Sequence, residues 1–388
     1  MSYFIGRNRE ARQTYGYDEV ALVPGNIAVD PDDTDTSFNI ADIKFKIPFL
    51  ASAMDGVVNT RFAAAMNRLG GLAVLNLDGL STRYENPDEA VNEIVNCDPA
   101  KATEVFQKLY KAPVNKKLIS RRVEEIKKAK VPCAVSSIPQ NAAEFGPIAR
   151  EAGADIFAVQ ATVLTIKYES TKQKTLDIHK FVKDMKIPVL LGNCVTYRVA
   201  LELIETGAAG LLVGVGPGAA CTTRGVLGIG VPQVTSTVDC AAARDFYYKK
   251  TGKYVPIITD GGMHTGGDVC KSIASGADAV MIGSPFAKAT EAPGKGFHWG
   301  MATPHANLPR GTRVHVGVTG SIEEILFGPA RVDDGSQNLV GALKTSMGAL
   351  GCHNIREMQL TQIIIAPSIK SEGKLLQRAQ VVGMGKQK

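Results

Sequence analysis

Short apolar runs recur along the chain from residue 48 onward, and each is followed by a polar or glycine turn and then by a stretch with helical spacing. The eight runs lie at residues 48–52, 72–75, 132–135, 155–159, 188–191, 210–213, 256–260 and 278–282. Short apolar strands that alternate with helices are typical of a parallel sheet covered by helices on both faces. The pattern therefore predicts repeated βα units.

Three joints from helix to strand have similar sequences, at residues 153–155, 207–209 and 276–278, and each begins with a glycine. Glycine suits the position just after the end of a helix. Eight units with recurring joints favour a closed (β/α)8 TIM barrel as a single domain over residues 1–388, with a doubly wound open sheet as the alternative. In such a barrel, functional groups gather on the loops after the strands, and phosphate often binds after strands seven and eight.

Three segments do not fit the repeat. Residues 1–47 are turn-rich and are predicted to lead into the barrel without forming a domain of their own. Residues 78–131 are longer than an ordinary βα connection and show helical spacing at 88–95 and 118–129. Residues 291–340 are rich in glycine, proline and polar residues, and a connection of this kind is predicted to include a mobile flap, with a plain surface loop as the alternative.

Composition narrows the class of protein. The chain has 388 residues, 45% of them hydrophobic and 21% charged, which is typical of a globular protein. The net charge of +6 comes from scattered basic residues, so nucleic-acid binding is not expected and a small anionic substrate fits the charge. The sequence shows neither a membrane-spanning apolar run nor a signal peptide, so we expect no membrane association and a cytoplasmic location. Seven cysteines without a Cys-x-x-Cys pair argue against structural zinc and a disulfide framework.

One cysteine lies in a glycine-rich loop. After the predicted sixth strand, glycines occupy positions 214, 216 and 218, and Cys221 follows. Glycine lets a ligand approach the main chain closely, and a single thiol on such a loop is a candidate nucleophile, the alternative being a cysteine that only fills a core. Strands seven and eight are predicted to end in short glycine loops at 260–262 and 283–284, whose N–H groups can face an anion. All three loops are expected on one rim of the barrel.

Together these motifs resemble the IMP dehydrogenase and GMP reductase family. The similarity is carried by residues 17–24 (YDEVALVP), 52–55 (SAMD), 192–193 (GN), 214–233, 260–262 (DGG), 283–284 (GS) and 346–348 (SMG). Full-length dehydrogenases of the family carry a regulatory pair of CBS domains between strands two and three. Because only residues 78–131 lie there, the chain is most similar to the CBS-less members found in cyanobacteria and actinobacteria.

The resemblance implies the family's chemistry, in which a cysteine thiolate attacks C2 of a purine, hydride passes to NAD, and water hydrolyses the covalent intermediate. It makes Cys221 the nucleophile, Thr223 the residue that handles the proton or leaving group, and Asp260 the ligand of the ribose hydroxyls. The implied phosphate ligands are Ser52, Gly261, Gly262, Gly283 and Ser284, and the residues implied to flank the purine and ribose are Met54 and Asn193. A potassium ion is implied at the carbonyls of Gly216, Gly218 and Cys221, with residues 371–373 of a neighbouring subunit as a weaker candidate.

The chain departs from the family pattern at several positions. Ala219 replaces a serine that binds phosphate, and Gln160 replaces an aspartate that meets the nicotinamide. Pro309 replaces a phosphate-binding tyrosine in a motif that retains Gly311 as a substrate-site residue, and His298, if protonated, could replace that tyrosine as a phosphate donor. The Arg-Tyr pair that activates water in the family is absent, and the candidates for that catalytic role are His305, Arg310 and Arg313.

The resulting prediction is an NAD-dependent IMP dehydrogenase that converts IMP to XMP in guanine nucleotide synthesis. The sequences at 228–233 and 283–294 resemble the dehydrogenase form of the family. Two alternatives stay open. One is a GMP reductase that uses NADPH and releases ammonia. The other is a nucleotide-binding protein without turnover, which is favoured by Gln160, by Leu212 in place of the family's usual Arg or Lys, and by the missing Arg-Tyr pair. The resemblance also implies a homo-oligomer, a tetramer or octamer.

Overall fold

Eight parallel strands close into a barrel in the computed structural model, which describes residues 2–171, 175–300, 313–369, 371–380 and 382. The barrel strands are β1 (Phe49–Ala51), β2 (Leu72–Asn76), β3 (Ala134–Ser137), β4 (Ile156–Gln160), β5 (Val189–Cys194), β6 (Gly210–Val213), β7 (Ile257–Asp260) and β8 (Ala279–Ile282). Each strand pairs in parallel with the next, and β8 pairs with β1. The predicted (β/α)8 barrel is confirmed, and the open sheet is excluded.

Both faces of the barrel strands are buried, which explains their continuous apolar sequences. In β8, for example, Ala279 and Met281 belong to the cluster inside the barrel, whereas Val280 and Ile282 pack with the surrounding helices. Successive side chains of a strand point to opposite faces, so each strand serves two cores at once.

Helices surround the barrel. The α-helices are Thr60–Arg68, Pro87–Asn96, Ala102–Tyr110, Lys116–Lys127, Pro139–Glu151, Ile178–Met185, Tyr197–Ile204, Thr223–Leu227, Gln233–Thr251, Gly266–Ala274, Ser284–Ala287, Ile322–Phe327, Leu339–Leu350, Ile355–Met358 and Lys374–Ala379. Short 3-10 helices lie at Tyr17–Glu19, Pro31–Asp33, Leu80–Thr82 and Pro99–Lys101. Within the described part of the chain, no helix is both long enough and apolar enough to cross a membrane.

Among the described residues, the strands outside the barrel form four antiparallel pairs. The pairs are Ser2–Gly6 with Arg9–Arg12, Val20–Leu22 with Ile363–Ile365, Phe38–Ile40 with Ile43–Phe45, and Phe297–Trp299 with Arg313–His315. The stacked rings of Phe38 and Phe45 join the apolar cluster inside the barrel. The N-terminal residues therefore pack as part of the barrel domain and pair with its C-terminal region.

Residues 78–131, hereafter the 78–131 segment, contain three α-helices between β2 and β3. Helical spacing had predicted two of them, and the third, Ala102–Tyr110, is additional. The segment has a small apolar core of its own, built from residues such as Leu80, Ile94 and Phe106. Trp299, from the strand Phe297–Trp299, is buried in that same core. The segment is therefore packed against a strand that follows the last barrel strand.

Candidate active site

A cavity of about 370 Å³ lies at the carboxyl ends of the barrel strands. Its walls are the loops after β1, β3, β4, β6, β7 and β8, together with Asn193 of β5 and the strand Phe297–Trp299. The predicted site residues that line it are Ser52, Met54, Asn193, Gly216, Gly218, Cys221, Thr223, Asp260, Gly261, Gly262, Gly283, Ser284 and His298. The structure therefore brings these predicted site residues together in one cavity, and their individual roles stay predictions.

Cys221 is an exposed thiol in the loop between β6 and the helix Thr223–Leu227. Its Sγ donates a hydrogen bond to the hydroxyl of the buried Thr223 at 3.2 Å. Other cysteines lie in the core, where burial raises the pKa of Cys133 to about 12 and that of Cys270 to about 11. Because a nucleophilic thiol must be reachable by its substrate, Cys221 is the cysteine suited to that role.

Hydrogen bonds and close packing fix the glycine loop that carries Cys221. The Gln233 side chain donates to the carbonyl of Val213 at 2.7 Å and to the carbonyl of Asp260 at 2.9 Å. Gly214 has a φ of +149°, and a Cβ there would lie 2.3 Å from the Asp260 carbonyl oxygen. Only glycine fits where the backbone at residue 214 lies this close to the Asp260 carbonyl. The loops after β6 and β7 are therefore packed directly against each other.

Asp260, the last residue of β7, accepts two side-chain hydrogen bonds on one oxygen. Gln160 donates to its Oδ2 at 3.0 Å and Asn193 donates at 2.8 Å. Burial raises the pKa of Asp260 to about 6, although these hydrogen bonds and one from Ser52 act in the opposite direction. The carboxylate is therefore mainly ionised at neutral pH, and it can accept hydrogen bonds from a diol. Gln160, which replaces the family's aspartate, adds no second charge here.

Ser284 and His298 face each other across the cavity wall, with Oγ and Nε2 3.0 Å apart. His298 is 1% exposed, and its Nδ1 has no hydrogen-bond partner. Burial, with a smaller effect from His264, lowers the pKa of His298 to about 4. The imidazole is therefore neutral at pH 7 without a ligand, so the protonated donor that the sequence suggested is wrong for the free protein. A neutral imidazole still offers one N–H to an anion.

The structure describes one of the three candidates for water activation, Arg313. His305, Arg310 and Gly311 lie outside the described residues. Arg313 is described, but its guanidinium donates to the carbonyls of Ile94, Val95 and Cys97 at the end of the helix Pro87–Asn96 and lies 4.8 Å from the Phe297 ring. These contacts place its charge at a helix terminus, and Arg313 does not line the cavity.

Several cavity residues had no signal in the sequence beyond their place after a strand. They are Ile138, Gln140, Ala161, Thr162, Met263 and His264. The first four follow β3 and β4, and the last two follow the glycine turn after β7. Loops after the strands of a TIM barrel form its functional face, so this position alone marks them as candidates.

The fold and the cavity define a (β/α)8 barrel with an exposed cysteine on its functional rim. The sequence matches the IMP dehydrogenase / GMP reductase domain over residues 14–373. The chain thus belongs to the IMP dehydrogenase / GMP reductase family of oxidoreductases.

Similar proteins agree with this assignment. An uncharacterized oxidoreductase of Mycolicibacterium smegmatis is 38% identical over 364 residues, which cover 92% of this chain and 97% of the relative. An inosine-5'-monophosphate dehydrogenase of Methanocaldococcus jannaschii is 28% identical, with 94% of this chain and 95% of the relative covered. The crystal structure of an IMP dehydrogenase/GMP reductase-like protein from Corynebacterium glutamicum aligns with a TM-score of 0.89 at 35% identity, covering 94% of this chain and 97% of that one. The high coverage of the first and third shows relatives without an added CBS pair.

Proposed function

We propose that this protein is an IMP dehydrogenase, which oxidises IMP to XMP with NAD as the hydride acceptor. The observation that carries the proposal is the exposed Cys221 thiol in one cavity with the Asp260 carboxylate and the Ser284–His298 pair. A nucleoside monophosphate offers a matching group to each: the purine to the thiol, the ribose hydroxyls to the carboxylate, and the phosphate to the pair.

In this proposal Cys221 forms the covalent bond to the substrate. Its thiolate attacks C2 of the hypoxanthine, and the C2 hydrogen leaves as hydride with its electron pair. Thr223, which accepts the thiol hydrogen bond, orients the sulfur and is placed to relay its proton. Bound NAD supplies the hydride acceptor. Water then replaces the sulfur at C2, which releases XMP and returns the thiolate.

The remaining cavity residues bind and orient the nucleotide. Asp260 accepts the two ribose hydroxyls, and Asn193 beside it fixes the direction of the carboxylate. On the phosphate side, Gly261 and Gly262 have φ values of +82° and +84°, so the backbone turns sharply without side chains in the way. Ser284, with Gly283 before it, and the neutral His298 provide hydrogen-bond donors there.

The Cys221 loop also fits the proposed potassium ion. The carbonyl oxygens of Gly216, Gly218 and Cys221 are ligands of the kind that hard cations prefer. The Gly218 carbonyl already accepts the N–H of Cys221 at 3.0 Å, and its second lone pair stays available for an ion. A bound cation would stabilise the loop conformation that presents the thiol. Its removal would then lower turnover more than nucleotide binding.

Covalent trapping tests the proposal directly. The full-length protein is mixed with IMP, NAD and potassium, quenched in acid, and analysed by intact mass and peptide mapping. A purine adduct on Cys221 is expected in the wild type and no adduct in Cys221→Ala. Cys352→Ala, which changes a buried cysteine far along the chain from the loop, is the matched control and should still form the adduct. An unmodified wild-type Cys221 during active turnover would contradict the mechanism.

A GMP reductase is the second candidate, and the absence of the family's Arg-Tyr pair favours it, since a reductase needs no hydrolytic water. The same thiol would then displace the amino group of GMP as ammonia, after which C2 of the covalent adduct would accept hydride from NADPH and release the thiolate as IMP forms. Assay of ammonia with saturating GMP and NADPH separates the two activities. Ammonia release at a rate above that of Cys221→Ala would replace the dehydrogenase assignment.

A further inference from the structure

The strand that carries His298 is held from outside the barrel. Its neighbour Trp299 is 2% exposed and packs edge-on against Phe106 of the 78–131 segment, with ring centroids 5.5 Å apart. Among the described residues buried in the segment's core, Trp299 alone comes from elsewhere in the chain. Neighbouring side chains of a strand point to opposite sides, so fixing Trp299 on one side fixes His298 on the other.

A chain of hydrogen bonds ties Trp299 to the loop after β1. The indole Nε1 donates to the Tyr110 hydroxyl at 2.8 Å, and that hydroxyl donates to Asp55 Oδ2 at 2.5 Å. The other oxygen of Asp55 accepts the backbone N–H of Leu80 at 3.1 Å. An indole can only donate, so the directions of the chain are fixed. Asp55 directly follows Met54, which lines the cavity.

The same strand is also anchored at its partner strand and by close packing. Arg313, opposite Trp299 in the hairpin, caps the end of the helix Pro87–Asn96 with its guanidinium. Gly56 lies so close to the strand that a Cβ there would be 2.8 Å from the Phe297 carbonyl oxygen. The 78–131 segment therefore contacts the His298 strand through Trp299 and its paired strand through Arg313.

We propose that Tyr110, Trp299 and Arg313 are positioning residues through which the 78–131 segment holds His298 beside Ser284 to bind the phosphate of the nucleotide. The inference rests on the proposed function, since it takes IMP as the nucleotide. It assigns the segment a structural part in substrate binding, although the segment itself supplies no residue to the cavity wall.

A double-mutant cycle on the full-length protein tests this. The dissociation constant of IMP is measured by calorimetry for wild type, Tyr110→Phe, His298→Gln and the double variant. Leaving the buried indole N–H unpaired should weaken IMP binding about tenfold through His298, and His298→Gln should weaken it by a similar factor. If Tyr110 acts through His298, the double variant is no weaker than His298→Gln alone.

Tyr84→Phe is the matched control, because the Tyr84 hydroxyl lies in the same segment but donates to the Leu109 carbonyl at 2.9 Å, whereas the Trp299 indole hydrogen-bonds to Tyr110. It should leave IMP affinity unchanged, whereas Tyr110→Phe should also shift the emission of Trp299, the single tryptophan of the chain.

Additive losses in the cycle, or an equal loss in Tyr84→Phe, would overturn the inference. Wild-type protein that binds IMP without reducing NAD would refute the dehydrogenase, while the cycle would still decide the role of Tyr110. A wild type that does not bind IMP would overturn both.

Discussion

Asp260→Asn is expected to make the protein more stable at neutral pH and weaker in binding IMP. The asparagine can place its carbonyl oxygen where Oδ2 now accepts Gln160 and Asn193, with its NH2 toward the Ser52 hydroxyl. Both present hydrogen bonds would then persist in neutral form. The substitution removes the desolvation cost of a negative charge on a mostly buried side chain.

The size of that cost follows from the pKa. A carboxyl whose pKa rises from 3.8 when unfolded to about 6 in the fold destabilises the native state by about 3 kcal/mol at neutral pH. Because Asp260 opens on the cavity, water reduces this cost, and we expect a gain of about 1–2 kcal/mol from the substitution. The wild type binds the extra proton only when folded, so its stability falls as pH rises through 4–6. The gain in the variant should therefore be absent below pH 4 and complete above pH 6.

Whereas Asp260→Asn should stabilise the fold, it should weaken the binding of IMP. Hydrogen bonds to a charged group contribute about 1.5–3 kcal/mol, so losing the carboxylate under the ribose hydroxyls should weaken IMP binding about 10- to 150-fold. Thermal unfolding at a series of pH values and calorimetry with IMP measure the two effects. An Asp260→Asn protein that melts lower than wild type at pH 8, or that binds IMP equally well, would refute the reasoning.

An Asp→Asn substitution at Asp278, the residue just before β8, provides a control. Asp278 is buried and accepts from the Arg244 guanidinium at 2.8 Å, and the Arg244 side chain is only 1% exposed. Asp278→Asn would remove one carboxylate partner of a buried cation that still pairs with Asp245 at 3.0 Å, so we expect a loss of about 1–3 kcal/mol. Opposite effects on stability from two Asp→Asn changes would show that the Asp260 carboxylate is retained at a cost in stability.

Three further substitutions probe the site and its support. Gln160→Glu should place a second carboxylate 3.0 Å from Asp260 and weaken IMP binding more at pH 8 than at pH 6, and a pH-independent effect would contradict this. His298→Gln should reduce acid sensitivity, because burial lowers the pKa of His298 from 6.5 to about 4 and protonation therefore destabilises the fold as pH falls through that window; identical melting curves at pH 5 would count against it. Arg313→Gln should cost about 1–2 kcal/mol in urea unfolding, with Arg313→Lys intermediate, and no loss would disprove the helix-capping role.

The barrel could be predicted because its strands are buried on both faces. Burial on both sides leaves no polar position within a strand, so each appears as an uninterrupted apolar run, and the run at 155–159 corresponds to β4 within one residue at either end. The loops of the cavity followed from the same pattern, since the carboxyl ends of barrel strands share one rim. This pattern and its glycine-rich loop predicted Cys221, whereas the role of Asp260 was implied by the family resemblance.

Other features depend on contacts between distant residues and have no local pattern. The helix Ala102–Tyr110 packs its Phe106 against Trp299, and the Trp299–Tyr110 hydrogen bond joins residues 189 positions apart. Gln160 was expected near the nicotinamide, but its amide contacts Asp260 because β4 and β7 converge on the cavity. Arg313 was a plausible catalytic base by position alone, and only the fold shows its guanidinium at a helix terminus.

The absorbance of reduced nicotinamide tests directly whether the protein oxidises IMP through Cys221. Purified protein with IMP, NAD and potassium is compared with a matched sample that contains GMP and NADPH, and Cys221→Ala is run beside both. We expect a rise in absorbance with IMP and NAD that disappears in Cys221→Ala, and no change with GMP and NADPH. A fall with GMP and NADPH alone, or no change in either sample from a protein that binds IMP, would contradict this expectation.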